Sequence, residues 1–226
     1  MSANRQRTVI VRVAAFFVIT SAAILVGYYM LKPSDELRIF HPKDLDARLV
    51  DPAVRNKEGE HRIMDFALVD QLGRTITLND LGDRIIVSDF FFTTCATICP
   101  KMTTQMERVR EAFKTDDRIV LLSHSVTPEM DSVPVLADYA ALHQADPERW
   151  HFLTGPRKQI YALARRSYFA CLEEGDGGPD DFVHTENFVL VDPQRRIRGF
   201  YDGTNAKEVD QLIADIRKLL AENEEK

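Results

Sequence analysis

Two cysteines separated by three residues carry the clearest chemical signal in the sequence. Cys95 and Cys99 lie in the segment FTTCATICPK, where Pro100 suits the first turn of a helix. At the start of a helix, unpaired backbone N–H groups and the helix dipole stabilise the thiolate of a cysteine, and Lys101 adds positive charge nearby. Two thiolates at this spacing serve as a dithiol/disulfide couple or as a clamp for a soft metal, such as Cu(I), zinc or an iron–sulfur cluster. A structural disulfide is the plain alternative in an oxidising compartment.

A metal clamp of this kind needs a further donor. Two cysteines do not complete a tetrahedral zinc site, and one more donor brings them closer to a Cu(I) site. Among the six histidines, His184 is the strongest candidate, because it follows an acidic loop and stands just before an apolar strand pattern. Its position alone leaves open whether it is a ligand or an ordinary loop histidine.

The other five histidines are weaker candidates. We expect His143 and His151, which flank a polar connection, to be solvated surface residues. His124 lies at the end of an apolar run, where we expect a structural residue of a strand. His41 and His61 lie in or near a polar segment close to the N-terminus.

The remaining sulfur atoms predict packing rather than ligation. Met102 and Met106 share a helical face with Val109 and Phe113, which favours a place in the core over thioether ligation. Cys171 lies in the mostly apolar segment SYFACL, and free cysteine is often buried.

Hydrophobic periodicity predicts an α/β domain around the cysteines. Apolar runs predict strands, helical spacing predicts amphipathic helices, and two polar turns predict hairpins. In chain order we expect a hairpin (residues 66–69 and 75–78), a strand (84–92), a helix (100–113), a strand (119–126), a helix (133–142), a strand (151–153), a helix (156–169), an acidic Gly-rich loop (173–181), a second hairpin (188–191 and 197–201) and a last helix (206–222). This order indicates a mixed sheet with helices on both faces, as the thioredoxin-like fold requires. The cysteines fall between the first long strand and the next helix.

An apolar segment near the N-terminus predicts a membrane anchor. Residues 13–31 contain no charged side chain, and a helix that crosses the hydrocarbon core needs about 20 such residues. The arginines before it favour a cytoplasmic N-terminus over residues 1–12 and a domain on the other side of the membrane. We expect a tether over residues 32–60 and a thioredoxin-like domain over residues 61–226. A cleaved signal peptide is the alternative, although its apolar region is usually shorter and ends in a small-residue cleavage site.

Composition narrows the function classes. The 226 residues are 45% hydrophobic and 28% charged, with 10 Gly and 10 Pro, which excludes collagen-like and mostly disordered chains. The formal net charge of −6 and the lack of a basic cluster argue against nucleic-acid binding. Three cysteines cannot build a dense disulfide framework. Nothing in the sequence indicates an obligate oligomer, so we expect a monomer.

With these residues assembled, the chain resembles the Sco/SenC family of membrane-anchored copper-binding proteins. The resemblance covers roughly residues 60–222 and rests on residues 90–100 (FFFTTCATICP), residues 125–136 (SVTPEMDSVPVL), residues 150–155 (WHFLTG) and His184. It implies that Cys95, Cys99 and His184 bind one copper, as Cu(I) or Cu(II), and deliver it to the dinuclear copper site in the copper-receiving subunit of cytochrome c oxidase. It also implies thiol–disulfide exchange that keeps partner cysteines reduced.

The chain departs from many relatives at two positions near this site. Ala96 stands where many have a proline after the first cysteine, and Thr127 stands where many have an aspartate. Asp131 matches a nearby acidic position. These changes leave the implied ligands in place and bear on copper affinity and redox potential.

Four functions therefore remain open at the level of the sequence. A copper metallochaperone needs both cysteines and His184, whereas a thiol–disulfide oxidoreductase needs only the cysteines. A thiol peroxidase would need an activating environment for which the sequence shows no local signature, and a binding module would use the cysteines only as a structural disulfide. The anchor favours the inner membrane of a bacterium with a periplasmic domain, and the mitochondrial intermembrane space is the alternative.

Overall fold

The first of two units in the chain is a single long helix. The computed structural model describes residues 3–31, 36–55, 59–172 and 183–224, and the chain divides into residues 1–36 and 37–226. Helix α1 (Ala3–Leu31) contains the 18-residue window Val11–Tyr28, which has a mean hydropathy of 1.9 and no buried residue. Its length and composition are those of a membrane-spanning helix, in line with the predicted anchor over residues 13–31.

The second unit is built from short strands and helices that follow the predicted order. After a 3-10 turn (Pro42–Asp44), its elements are α2 (Pro52–Arg55), β1 (Ala67–Val69), β2 (Thr75–Thr77), β3 (Ile85–Phe91), α3 (Cys99–Ala112), β4 (Ile119–Ser125), α4 (Val133–Leu142), β5 (Trp150–Leu153), α5 (Arg157–Arg166), β6 (Cys171–Leu172), β7 (Val183–His184), β8 (Asn187–Val191), β9 (Ile197–Asp202) and α6 (Ala206–Glu224). The predicted hairpins, long strands and helices are confirmed to within a few residues.

A mixed five-stranded sheet forms the centre of this unit. Its strand order is β5-β4-β3-β8-β9, and β3, β4 and β5 run parallel while β8 and β9 run antiparallel to their neighbours. Strands β1 and β2 form the predicted hairpin, and β6 and β7 form a second two-stranded ladder. The carboxyl ends of the parallel strands meet at one edge of the sheet, and the loop with Cys95 and Cys99 leaves β3 at that edge.

Two hydrophobic cores cover the two faces of the sheet. Ile85, Val87 and Phe91 of β3 face a core completed by α3, α4 and α6. Ile86 and Phe90 face the opposite core, to which α5 and the β1–β2 hairpin contribute. Because side chains alternate along a strand, the fully buried β3 serves both cores, and helices pack on both faces as predicted.

Residues that precede the β1–β2 hairpin also pack against the sheet. The Phe40 N–H donates to the Ile197 carbonyl at 2.9 Å, and the buried Arg198 donates to the Leu37 carbonyl at 2.5 Å. Val50 is buried in the same core as β1 and β2. The domain therefore includes contacts from residue 37 onward, inside the range where we predicted a tether.

Helix α5 ends earlier than predicted. We expected it to continue to residue 169, whereas it ends at Arg166. Tyr168 and Phe169 are both fully buried, and Phe169 has a φ of 52°. This left-handed conformation is rare for a bulky residue and turns the chain towards β6. The predicted acidic loop over residues 173–181 lies outside the described residues.

One buried side chain closes the edge of the sheet at β5. The Gln71 amide donates to the Trp150 carbonyl at 2.7 Å and accepts from the Phe152 N–H at 2.9 Å. It therefore takes the place of a neighbouring strand and attaches the β1–β2 turn to the sheet.

We predict that Gln71→Leu lowers the free energy of unfolding by about 2–4 kcal/mol, because it leaves a buried N–H and a buried carbonyl without partners. Denaturation followed by the fluorescence of Trp150, the one tryptophan, measures this effect. The exposed Gln211→Leu is the matched control, with an expected change within about 0.5 kcal/mol. Equal effects of the two substitutions would contradict the assigned role of Gln71.

Candidate metal centre

The two candidate cysteines lie at the junction of β3 and α3. Cys95 belongs to the loop between these elements, and its N–H donates to the Phe92 carbonyl at 3.2 Å. Cys99 is the first residue of α3, and Pro100 follows within the first turn. The helix is held there because Met102 and Met106, as predicted, are fully buried in the core under α3. The loop between β3 and α3 is short, so α3 begins close to the end of β3.

The fold brings the two thiol groups together. The backbone N–H of Cys99 donates to the Cys95 sulfur at 3.4 Å, and the Thr97 hydroxyl lies 3.7 Å from the same sulfur. Cys95 is half-buried, Cys99 is 1% exposed, and neither forms a disulfide. The sulfur of Cys95 is therefore accessible to a partner, whereas Cys99 lies beneath it.

This arrangement separates the acidities of the two thiols. Partial burial raises the pKa of Cys95, but hydrogen bonds from Cys99 and Thr97 outweigh it and lower the pKa to about 7. Burial raises the pKa of Cys99 to about 12, and the neighbouring Cys95 and Asp89 add to that rise. At neutral pH a large fraction of Cys95 is therefore thiolate, which is the nucleophilic and metal-binding form, while Cys99 holds its proton.

A buried carboxylate fixes the loop that carries Cys95. Asp131 is fully buried and accepts hydrogen bonds from the hydroxyls of Thr93 at 2.5 Å, Ser125 at 2.5 Å and Thr127 at 3.1 Å. The Thr93 N–H lies 3.3 Å from the same carboxylate. Asp131 thus joins the start of the cysteine loop to the end of β4. Thr127 supplies one of these hydrogen bonds.

A second buried carboxylate, Asp89, was missed in the sequence. It lies on β3, is 2% exposed, and its Oδ1 has no hydrogen-bond partner. The alternation of β3 places it on the face of the sheet that packs under α3. Burial raises the pKa of Asp89 to about 7. A charged residue inside the apolar run IIVSDFFF is the signal that could have identified it.

His184 lies on the short strand β7, where its backbone pairs with Cys171 of β6. The neighbouring Thr185 N–H donates to the Ala170 carbonyl at 2.8 Å, which attaches this strand to the chain that leaves α5. The side chain of His184 lies outside the described part of the structure, so its role as a ligand stays a prediction. Among the described residues, no group of three or more His, Cys, Asp or Glu side chains could hold a metal ion.

Four of the other histidines have structural contacts, among them His61, whose Nε2 lies 2.8 Å from the Ser167 carbonyl. His124 is fully buried on the face of β4 opposite α3, and its Nδ1 lies 3.1 Å from the Ser88 hydroxyl. His143 was expected to be solvated, but its Nδ1 lies 2.7 Å from Glu107 and its side chain is 17% exposed. The prediction of a solvated His151 is also wrong, because this residue lies on β5 and is 4% exposed. The polar residues before His151 indicate a solvated loop, but pairing of β5 with β4 buries this side chain.

Fold and site together define a thioredoxin-like α/β protein with a dithiol between its first long parallel strand and the following helix. A family model described as SCO1/SenC matches residues 54–221 of the chain. The chain belongs to the SCO1/SenC family.

Individual relatives agree with this assignment. An SCO1 protein homolog of Bacillus subtilis is 31% identical over 159 residues, which cover 70% of this chain and 82% of that protein. The solved structure of BsSco, a member of the Sco family of cytochrome c oxidase assembly proteins with a disulfide switch, is 30% identical with a TM-score of 0.60 and covers 71% of this chain and 94% of that one. A copper-bound ScoI of Arabidopsis thaliana is 25% identical with a TM-score of 0.53 and covers 69% of this chain and 98% of that one. The chain spans about three fifths of the length of its mitochondrial relatives.

The acidity of Cys95 gives a testable consequence. We predict that its alkylation by iodoacetamide follows a titration with a midpoint near pH 7, rising with pH as the thiolate forms. Thr97→Val removes one hydrogen bond to the sulfur and should move the midpoint to higher pH. Thr104→Val, which changes the same residue type on the exposed side of α3, should leave it in place. A midpoint near that of a free thiol, about 8.5, in the unsubstituted chain would contradict the geometry of the loop.

Proposed function

We propose that this protein is a membrane-anchored copper metallochaperone that binds one copper through Cys95, Cys99 and His184. The observation that carries the proposal is the pair of thiols brought together at the start of α3, with the Cys95 sulfur 3.4 Å from the Cys99 nitrogen. Thiolates are soft ligands that select Cu(I), and an imidazole suits both oxidation states of copper. The copper-bound relative from Arabidopsis supports the choice of metal.

The electrostatics of the dithiol also favour a bound cation. Ionised Cys95 and Asp89 both raise the pKa of Cys99. A monovalent copper ion at the sulfurs relieves this repulsion and displaces the Cys99 proton, since metal ligands must be deprotonated. Exposure of Cys95 on the loop lets an incoming partner sulfur reach the metal, so that copper passes on by exchange of ligands.

The recipient we propose is the dinuclear copper site of cytochrome c oxidase. Family membership and the oxidase-assembly role of BsSco support this choice. The anchor and the arginines before it support a single-pass protein of the inner membrane whose domain faces the periplasm. A domain tied to the membrane by α1 stays close to a membrane-bound recipient.

A second function, thiol–disulfide exchange, is favoured by the unequal acidity of the two thiols. The Cys95 thiolate attacks a partner disulfide, which forms a mixed disulfide and releases one partner thiolate. Cys99 then loses its proton and attacks the Cys95 sulfur, which releases the second partner thiolate and leaves a Cys95–Cys99 disulfide. The partner is reduced by two electrons and this chain is oxidised by two. Both functions use the same sulfurs.

Copper stoichiometry of the full chain, reduced and anaerobic in detergent, tests the proposal. We predict one tightly held copper per chain and a loss of affinity of about tenfold or more in His184→Ala, because even supporting residues of metal sites contribute that much. Cys95→Ala and Cys99→Ala should lose tight binding, and His41→Ala is the control histidine that should retain it.

Full retention of copper in all three ligand variants would exclude the chaperone function. Binding that depends on the cysteines but not on His184, with unchanged turnover of a disulfide substrate in His184→Ala, would favour thiol–disulfide exchange instead.

A further inference from the structure

A cavity lies at the end of the sheet opposite the dithiol. It has a volume of about 200 Å³ and lies where β3 and β5 begin, and the residues that line it include Arg74, Thr75, Asp80, Arg84, Glu148 and His151. The dithiol follows the other end of β3, so the seven residues of that strand, about 23 Å, separate the two sites. Nothing in the proposed copper function uses this cavity.

Arg84 supplies an oriented positive charge to the cavity. Its guanidinium donates to three backbone carbonyls, those of Leu81 at 2.9 Å, Asp80 at 3.0 Å and Glu148 at 3.2 Å. A guanidinium has five N–H donors, so two remain. In the described part of the chain, no carboxylate lies within ion-pair distance of Arg84. Its partial burial lowers its pKa, and the more distant Glu148 and Asp117 act in the opposite direction. A half-buried cation without a direct ion pair is unfavourable, and a bound anion would compensate it.

His151 supplies a hydrogen-bond acceptor to the same cavity. It is 4% exposed, and its Nδ1 lies 3.4 Å from Asp70, a fully buried carboxylate. Burial lowers the pKa of His151, so the ring is neutral at neutral pH. Nδ1 has no hydrogen-bond partner of its own, and the negative charge of Asp70 beside it favours a proton on this nitrogen. A neutral ring protonated at Nδ1 leaves Nε2 as its acceptor.

The walls of the cavity are held in place before any ligand binds. Asp70 accepts from the N–H groups of Leu72 and Arg74, each at 2.9 Å, and from the Arg74 guanidinium. Gln71 attaches the same turn to β5 on both sides of His151. A site with preset donors and acceptors loses little entropy when a ligand binds.

The two acidic residues at the rim already have partners. Asp80 accepts from the Thr77 N–H at 2.8 Å and from its hydroxyl at 2.5 Å. Glu148 forms a short ion pair with Arg74 and is 72% exposed. These carboxylates favour an anion whose charge is reduced by protonation, and neither forms an ion pair with Arg84.

We propose that this cavity binds a small protonated oxyanion of the phosphate class. Arg84 donates to its oxygens, Thr75 adds a hydroxyl at the wall, and Nε2 of His151 accepts the hydrogen of its P–OH group. Sulfate has the same shape but no hydrogen at neutral pH, and a carboxylate also lacks one. The His151 acceptor therefore selects hydrogen phosphate, or the monoanionic form of a phosphomonoester, over both.

Calorimetric titration of the full chain in detergent, with chloride controls of equal ionic strength, tests this site. We expect inorganic phosphate to bind at least tenfold more tightly than sulfate or acetate, and Arg84→Gln to weaken phosphate at least tenfold. Arg118→Gln, on the surface and paired with Asp116, is the matched control that should leave phosphate binding unchanged. Glycerol 3-phosphate as a second probe distinguishes a headgroup-like phosphomonoester from free phosphate, and binding of either supports the site.

If Arg84→Gln fails to fold, a variant with increased phosphate affinity provides a second test. Glu148→Gln removes an exposed negative charge from the rim and should tighten phosphate binding several-fold. Phosphate binding no stronger than sulfate binding would overturn the proposal. Phosphate affinity unchanged in Glu148→Gln, or retained in a folded Arg84→Gln, would also overturn it. Copper stoichiometry should stay the same in every variant, because the two sites lie at opposite ends of the sheet.

Discussion

The complete burial of β3 is the constraint on which the rest of the structure depends. All seven of its residues are buried, and both of its edges are paired, with β4 on one side and β8 on the other. The chain reaches solvent only after Phe91, so the loop with Cys95 leaves the sheet at its carboxyl edge. The helix that follows must bury Met102 and Met106 against the same sheet, which places Cys99 beneath the loop. Burial of neighbouring elements thus sets the position of the dithiol.

The different character of the two thiols follows from the same geometry. The backbone N–H at the start of α3 donates to the Cys95 sulfur and stabilises its thiolate. Cys99 is buried, and burial disfavours its charged form. Asp131 keeps the loop in this arrangement through three hydroxyl donors, one from the cysteine loop and two from the end of β4 and the residues after it. One accessible sulfur above one buried sulfur suits both ligand exchange on a metal and attack on a disulfide.

The outer strands of the sheet are closed by side chains and short segments instead of further strands. Gln71 takes this role at β5, and the chain around Phe40 does so at β9 with the help of Arg198. These closures prevent strand addition at the edges. His151 lies between the two residues of β5 that Gln71 contacts, and it lines the cavity beside Arg84, so the closed edge also carries a polar site remote from the thiols.

The sequence by itself determined the elements and the chemistry of the cysteine pair. Periodicity predicted α4 and the two long strands because their apolar patterns are local, and the spacing of Cys95 and Cys99 before a proline predicted that the pair lies at a helix start. The thiolate predicted at that helix start is wrong for Cys99, because burial raises its pKa to about 12. Only the tertiary structure decided which thiol is acidic and which is buried. The tertiary structure also decided that Asp131 holds the cysteine loop in place and that His151 is buried. Those properties arise from contacts between residues far apart in the chain, and local patterns carry no information about the burial and hydrogen bonds that such contacts create.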